Sequence, residues 1–269
     1  MGRLCGERAF ATIRNMQTAL VVPCYNEAER LPAGAFEAFL RDRSDFWLIF
    51  VDDGSTDRTP ERLLEVAAAA PERVEIVTLP ANVGKAEAVR AGLLRALELD
   101  PAYVGYWDAD LATPLPAVIE FRSLMERRPQ VDLVLGARVV LLGRRIQRRA
   151  LRHYLGRVAA TLVASALGMR VYDTQCGAKL FRVTPGLREL FAKPFRARWL
   201  FDVEILGRLI AQRGGPGAAA KVIVESPLEV WTDVPGSKVS LGDYVRACLD
   251  LLRIRRGLKT QAGEPRRAR

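Results

Sequence analysis

The sequence predicts an α/β fold, a mostly parallel sheet flanked by helices on both faces. Three observations carry this. Five short apolar runs rich in β-branched or aromatic residues recur through the first 137 residues. Helix-length stretches separate them, the alternation that builds crossover-connected parallel strands. The runs are apolar almost throughout rather than alternating, as strands covered on both faces must be.

In chain order, Thr18 to Pro23 (TALVVP) reads as the first strand and Gly34 to Arg41 as the first helix. Phe46 to Asp53 (FWLIFVDD) follows as a strand, then a helix from Arg58 to Ala70. Val74 to Leu79 is the third strand and Lys85 to Leu99 the third helix. Tyr103 to Asp108 is the fourth strand, Leu115 to Arg127 a helix, and Leu133 to Ala137 the fifth strand. The second half breaks this rhythm. Arg138 to Arg157 carries seven arginines and no acid, and Val158 to Met169 is apolar and small. Tyr172 to Arg182 (YDTQCGAKLFR) is polar and glycine-containing. Arg198 to Arg213 is a plausible amphipathic helix, Lys221 to Trp231 alternates like a strand, and Leu241 to Arg255 reads as a final helix. One domain is expected over residues 16–255, with 138–170 as a basic and then apolar helical segment facing acceptor or membrane. Residues 1–15 are expected to fray, and 256–269 form a basic tail.

Composition narrows the class. Of 269 residues, 49% are apolar, enough for a sizeable core, and the net charge is +10 with a pI near 9.9. That charge favours an anionic partner: nucleic acid, an anionic membrane or a phosphorylated substrate. Cys5, Cys24, Cys176 and Cys248 form no C-x-x-C pair, so a zinc site or disulfide framework is not expected, and reduced thiols in the cytosol are. No N-terminal apolar run resembles a signal peptide. Val158 to Met169 is shorter than the ~20 residues a spanning helix needs, so a soluble or peripheral protein is expected.

The chemistry lies at the ends of the predicted strands: "PCYNE" (Tyr25, Asn26, Glu27), "DDGSTD" (Asp52 to Asp57), "NVGK" (Asn82 to Lys85) and "GYWDADLATP", with Asp108 and Asp110. A parallel sheet brings these loops to one edge, where such folds bind ligands. Singly, each has a bland reading. "DDGSTD" can be a turn and helix cap. "NVGK" lacks the upstream glycine and the Ser/Thr of a phosphate-cradling P-loop. "DAD" can be a solvated loop. Their joint occurrence points to a site. Two carboxylates two positions apart on extended backbone need a counter-charge. Mg²⁺ or Mn²⁺ supplies it, with a diphosphate completing the coordination.

"VVPCYNE", "VDDGSTD", "NVGKAEAVRAG" and "DADLATP", in that order, resemble an inverting family 2 glycosyltransferase of GT-A fold. "DTQCGAKLFR", "RWLFDVEIL" and "WTDVPGSK" resemble the dolichyl-phosphate β-glucosyltransferases and prokaryotic polyprenyl-phosphate relatives. The likeness spans about Ala19 to Arg255. It implies that Pro23, Tyr25 and Glu27 line a nucleoside pocket, with Asp53 at the base or ribose and Asp52 beside it. Lys85 lies near the nucleotide. Asp108 and Asp110, flanking Ala109, form the D-x-D pair, with Asp110 the direct metal ligand. Arg138 approaches the diphosphate, and Lys238 meets donor or acceptor phosphate. Related mannosyl enzymes often carry glutamine at the place of Ala112 and arginine at that of Thr232. Both departures pull towards the glucosyl group.

The implied reaction is transfer of a hexose, glucose first, from a UDP-sugar to a polyprenyl phosphate on the cytoplasmic membrane face. A phosphate acceptor, with a second pKa of ~6, needs little help from a base. A hydroxyl acceptor requires one, with Asp173, Asp202 and Glu204 as candidates. His153, the sole histidine, is read as structural or surface. The basic-then-apolar stretch from Arg144 to Met169 reads either as a charged face beside a core helix or as an interfacial segment. In the second case each basic residue contributes ~1 kcal/mol at an anionic surface. The alternatives are a same-fold transferase acting on a soluble hydroxyl, a non-catalytic nucleotide-sugar sensor, and a nucleic-acid binder. No nucleic-acid motif accompanies the charge, so no nucleic-acid partner is expected.

Overall fold

The computed structural model describes residues 18–147, 160–234 and 250–251. The strands are β1 (Thr18–Cys24), β2 (Phe46–Asp52), β3 (Val74–Thr78), β4 (Tyr103–Trp107), β5 (Leu133–Ala137), β6 (Arg145–Gln147), β7 (Ala178–Arg182), β8 (Ile223–Pro227) and β9 (Val230–Thr232). The helices are α1 (Ala33–Asp42), α2 (Thr59–Ala69), α3 (Lys85–Ala96), α4 (Ala117–Arg127), α5 (Leu187–Ala192), α6 (Phe201–Arg213) and α7 (Pro216–Ala219). Residues 160–167 are also helical.

Seven strands form one sheet in the order β3-β2-β1-β4-β7-β5-β8. All neighbours run parallel except β7, which is antiparallel to both β4 and β5. Successive residues of each strand therefore serve opposite layers. In β1, Ala19 and Val21 face one core with Ile49, Val51, Val104 and Tyr106, closed by α3 and α6. Leu20 and Val22 face the other with Leu48, Phe50, Tyr103 and Trp107, closed by α1, α2 and α4. Large side chains such as Trp107, Phe50 and Phe121 are fully buried there, each contributing about 1.5–3 kcal/mol.

From β1 the chain builds outward through β2 and β3. It then crosses back to place β4 on the other side of β1. That reversal opens a crevice between the C-terminal ends of β1 and β4, the place where open α/β sheets bind ligands.

The expected mostly parallel sheet is present, and the first five strands and four helices lie within a few residues of their predicted spans. Two elements differ. The stretch from Tyr172 to Arg182 contains a buried strand, β7, although Lys179 interrupts its apolar pattern. Lys221 to Trp231 is divided between β8 in the large sheet and β9, which pairs with β6 in a separate parallel ribbon. Residues 1–15, His153, Lys238, the 256–269 tail and most of the predicted Leu241–Arg255 helix lie outside the described residues, as do residues 148–159 of the basic segment. Among the described residues, no helix is long and apolar enough to cross a membrane.

Candidate active site

The loop after β1 is held by the loop after β2. Asn26 adopts φ 53°, and its Oδ1 accepts the Thr56 N–H at 2.9 Å. The Ser55 Oγ accepts the Asn26 N–H at 3.1 Å, and the Thr59 Oγ1 accepts the Glu27 N–H at 2.7 Å. Asp57 accepts from Ala28 and from both the N–H and hydroxyl of Thr59. The carboxylates of the "DDGSTD" loop are thus divided between tasks. Asp52 is buried and accepts the Ser55 N–H at 3.0 Å. Asp53 is buried, and its two oxygens take the Val83 and Gly84 N–H groups, each at 2.8 Å, and the Asn82 amide at 3.1 Å. Asp53 therefore fixes the "NVGK" turn, where Gly84 adopts φ 97°, and so aims Lys85 from the first position of α3.

Lys85 meets the fourth loop. Its Nζ lies 2.5 Å from Asp108 Oδ1. Burial opposes its charge, but Asp108 and then Asp202 outweigh burial, and its pKa is raised. The strand expected over Tyr103 to Asp108, with extended backbone continuing to Asp110, stops at Trp107. Residues 108–111 instead form a turn closed by the Leu111 N–H on the Asp108 carbonyl at 3.1 Å, with Leu111 at φ 48°. The carboxylates approach through this turn, not through strand alternation. Asp108 is pinned from behind by the residue that leads into β7: its N–H donates to the Gly177 carbonyl at 3.0 Å, and a Cβ on Gly177 would lie 1.9 Å from Asp108 Oδ2. Asp110 accepts the Ala112 N–H at 3.0 Å. Burial and then the Asp108 charge raise its pKa. Burial likewise raises Glu27 against the lowering pull of Arg30, which lies 2.6 Å from Glu27 Oε1, and Asp110 and Asp108 add to the rise. Glu27 Oε2 is buried and lacks a hydrogen-bond partner among the described residues.

Beneath this rim lies a network the sequence did not reveal. Lys179, fully buried on β7, lies 2.6 Å from Asp202 Oδ1 and donates to the Cys176 carbonyl at 2.6 Å. The Tyr106 hydroxyl donates to the same Asp202 oxygen. Burial, then Asp202, push the Tyr106 pKa well above its ordinary value. Cys176 is also buried, its thiol pushed up to about 11 mainly by burial.

The carboxylates contributed by the second half of the chain are equally committed. Arg138 leaves the end of β5 and grips Asp173 bidentately, Nε to Oδ2 at 2.6 Å and Nη2 to Oδ1 at 2.7 Å, with its guanidinium over the Trp231 ring at 5.3 Å. Glu225 on β8 accepts the Tyr172 and Asp173 N–H groups and holds that loop. Glu204 accepts the Arg196 and Ala197 N–H groups and pairs with Arg208 at 2.7 Å. The three candidate bases, Asp173, Asp202 and Glu204, are thus each bonded to a cation. The Thr232 N–H donates to the Ala112 carbonyl at 3.1 Å. The two positions that depart from the mannosyl pattern are therefore joined to each other beside the aspartate turn.

A profile described as glycosyl transferase family 2 matches residues 19–186, more than half of the chain. This chain belongs to that family. A dolichyl-phosphate beta-glucosyltransferase of Trichomonas vaginalis is 34% identical over 248 residues, 88% of this chain and 72% of that protein. Those of Mus musculus and Saccharomyces cerevisiae are 34% and 33% identical, covering 89% and 88% of this chain and 75% and 73% of theirs. A structure of glucosyl-3-phosphoglycerate synthase from Mycobacterium tuberculosis, in complex with Mn²⁺, UDP-glucose and phosphoglyceric acid, superposes with a TM-score of 0.59. It shares 22% identity and covers 96% of this chain and 83% of that one. The protein is a glycosyltransferase of GT-A fold.

In this transferase the donor-side residues of the resemblance converge. Pro23, Tyr25, Glu27, Asp52, Asp53, Lys85, Asp108, Ala109 and Asp110 all sit at or just beyond the C-terminal ends of β1, β2 and β4 or at the start of α3. Tyr25 is exposed at the rim and Ala109 is buried beneath it. Lys238 lies outside the described residues. No group of three or more His, Cys, Asp or Glu arranged for a metal ion occurs among the described residues. The donor set still fits a divalent ion completed by a diphosphate. Asp108 raises Asp110 by repulsion, and the buried Glu27 oxygen beside them lacks a donor among the described residues. Gln175 Nε2 is a second buried polar atom without a partner among the described residues, close in sequence to Asp173. Lys179, Tyr106 and Gln175 escaped sequence reasoning because their roles depend on β7 lying beside β4. The only local signal is a lysine inside an otherwise apolar run.

Proposed function

We propose that this transferase moves a hexosyl group, glucose first, from a UDP-sugar to a polyprenyl phosphate, with inversion at the anomeric carbon. The observation that carries this reading is the commitment of Asp173, Asp202 and Glu204 to cations. With these three candidates held by cations, the site suits an acceptor that brings its own oxyanion, and a phosphate monoester does so at neutral pH. The relatives' names support the same acceptor class and the glucosyl group.

Residues 16–255 act as one catalytic domain, with 138–170 towards acceptor and membrane, the 256–269 tail adding basic charge, and the whole acting peripherally at the cytoplasmic membrane face. Asp108 and Asp110 hold Mg²⁺ or Mn²⁺. The ion, when bound, supplies charge neutralisation to the departing diphosphate. Tyr25, Glu27, Asp52 and the Asp53-fixed turn form the nucleoside rim, with Pro23 beneath it. Lys85 turns its ammonium to the diphosphate as the donor arrives. Arg138, held rigid by Asp173, orients the phosphates, and Lys238 meets donor or acceptor phosphate. The acceptor oxygen attacks the anomeric carbon as the bond to UDP breaks, leaving a β-linked product. Incubation with a panel of labelled nucleotide sugars, a polyprenyl phosphate and Mg²⁺ or Mn²⁺, followed by organic extraction, tests this. Label from UDP-glucose is expected in the organic phase. No labelled lipid from any donor would sink the reading.

A further inference from the structure

The chain between β5 and β6 carries a built apolar tip. Val140, Leu141 and Leu142 are 59%, 47% and 104% exposed. The tip is a closed turn: the Arg144 N–H donates to the Leu141 carbonyl at 3.1 Å, and Gly143 supplies the left-handed residue at φ 82°. Its base is stiff. Arg144 pairs with Glu229 at 2.6 Å, the Arg145 N–H donates to the Glu229 carbonyl at 2.8 Å, and β6 continues into the ribbon with β9.

Position and charge set its use. Because β4 and β5 are both antiparallel to β7, they run parallel to each other, so the chain after Ala137 leaves from the same sheet edge as Asp108 and Asp110. Arg138 before the tip is held by Asp173 and Arg144 after it by Glu229, while Arg145 is exposed, on a chain of net charge +10. An apolar point beside an exposed arginine, on a strongly basic chain, matches acyl chains lying beneath anionic headgroups. A folded partner is a poorer match, since three residues fall far short of the roughly 800 Å² per side that a standard protein interface buries.

We propose that Val140, Leu141 and Leu142 insert into an anionic lipid bilayer and fix the catalytic edge against it. This rests on the reading of the acceptor as a lipid phosphate. Insertion there holds the crevice at headgroup level, where a prenyl phosphate presents its oxyanion while its tail stays in the bilayer.

The test uses the full chain with vesicles of neutral and of mixed neutral and anionic phospholipid, read by co-sedimentation. The double variant Leu141→Asp/Leu142→Asp is expected to lose about 100-fold in partitioning, about tenfold per leucine. Its melting temperature, and its turnover of a short, water-soluble prenyl phosphate, are expected to match wild type. Leu142→Trp is expected to show blue-shifted emission on anionic vesicles, quenched by brominated acyl chains. Unchanged partitioning of the double variant, or indole emission that stays put on bound vesicles, overturns the insertion. So does a wild-type dimer that the double variant splits, which would assign the tip to a second copy. Wild type that ignores both vesicles overturns the insertion and the membrane-surface reading together. Vesicle binding that depends on the leucines, without transfer to any prenyl phosphate, keeps the tip and removes the acceptor.

Discussion

Replacing Lys85 by methionine probes the centre of the site with two opposite readings. In the ligand-free protein the Lys85 ammonium lies 2.5 Å from Asp108 and supplies the counter-charge that the aspartate turn requires. A bare dication must displace it. Both partners are part-exposed, at 45% and 33%, so the pair is screened, and its disruption costs about 0.5–1 kcal/mol. Lys85→Met removes that cost, and Mn²⁺ without nucleotide should bind about two- to fivefold tighter, since 1.4 kcal/mol is a factor of ten. The same change deprives the diphosphate of a cation, so UDP should bind more weakly. Titration calorimetry, with Mn²⁺ alone and with UDP in saturating Mn²⁺, reads both constants. Met retains most of the Lys85 stem, so the melting temperature is expected to hold. Mn²⁺ affinity that stays level or falls in a folded variant would refute the idea that ammonium and metal compete for one carboxylate.

Three further outcomes follow from bonds described above. Asp173→Ala strips Arg138 of its bidentate partner in a part-buried setting; a loss of about 3 kcal/mol, or roughly 6–12 °C in melting temperature, is expected by calorimetry. Gly177→Ala puts a methyl where Asp108 Oδ2 now lies, so Mn²⁺-dependent turnover should fall at least about tenfold while circular dichroism stays native. Asp57 has its pKa lowered from 3.8: slight burial opposes this, but hydrogen bonds from Thr59 and Ala28 outweigh it. Its contribution to the clamp is therefore fully present above pH 3.8 and lost as pH falls through the lower folded value, so Asp57→Asn should lose less melting temperature than wild type on acidification.

The half of the site contributed by β1, β2 and β4 was legible in the sequence because apolar strands ending in polar loops are a local pattern. A parallel sheet gathers such ends without further information. The other half was not legible, because it depends on an antiparallel insertion. Lys179 has meaning only beside Tyr106 and Asp202, which are 73 and 23 residues away in the chain. The aspartates were expected on extended backbone, and Leu111, at φ 48°, shows why that failed: a non-glycine residue in the left-handed region leaves no trace in apolar periodicity. Arg138 was tied to phosphate by resemblance, whereas its carboxylate partner lies 35 positions on and emerges only from the fold.

The reversed strand also governs how this enzyme can be taken apart. A segment from the second half of the chain lies between two from the first, and its glycine backs the very carboxylate that the nucleotide-binding half presents. Cutting after Ala137 would strip β4 of one of its two neighbours and Asp108 of its support. The first half is therefore no detachable cassette: exchanging second halves between relatives requires the inserted strand to travel with the aspartates it supports.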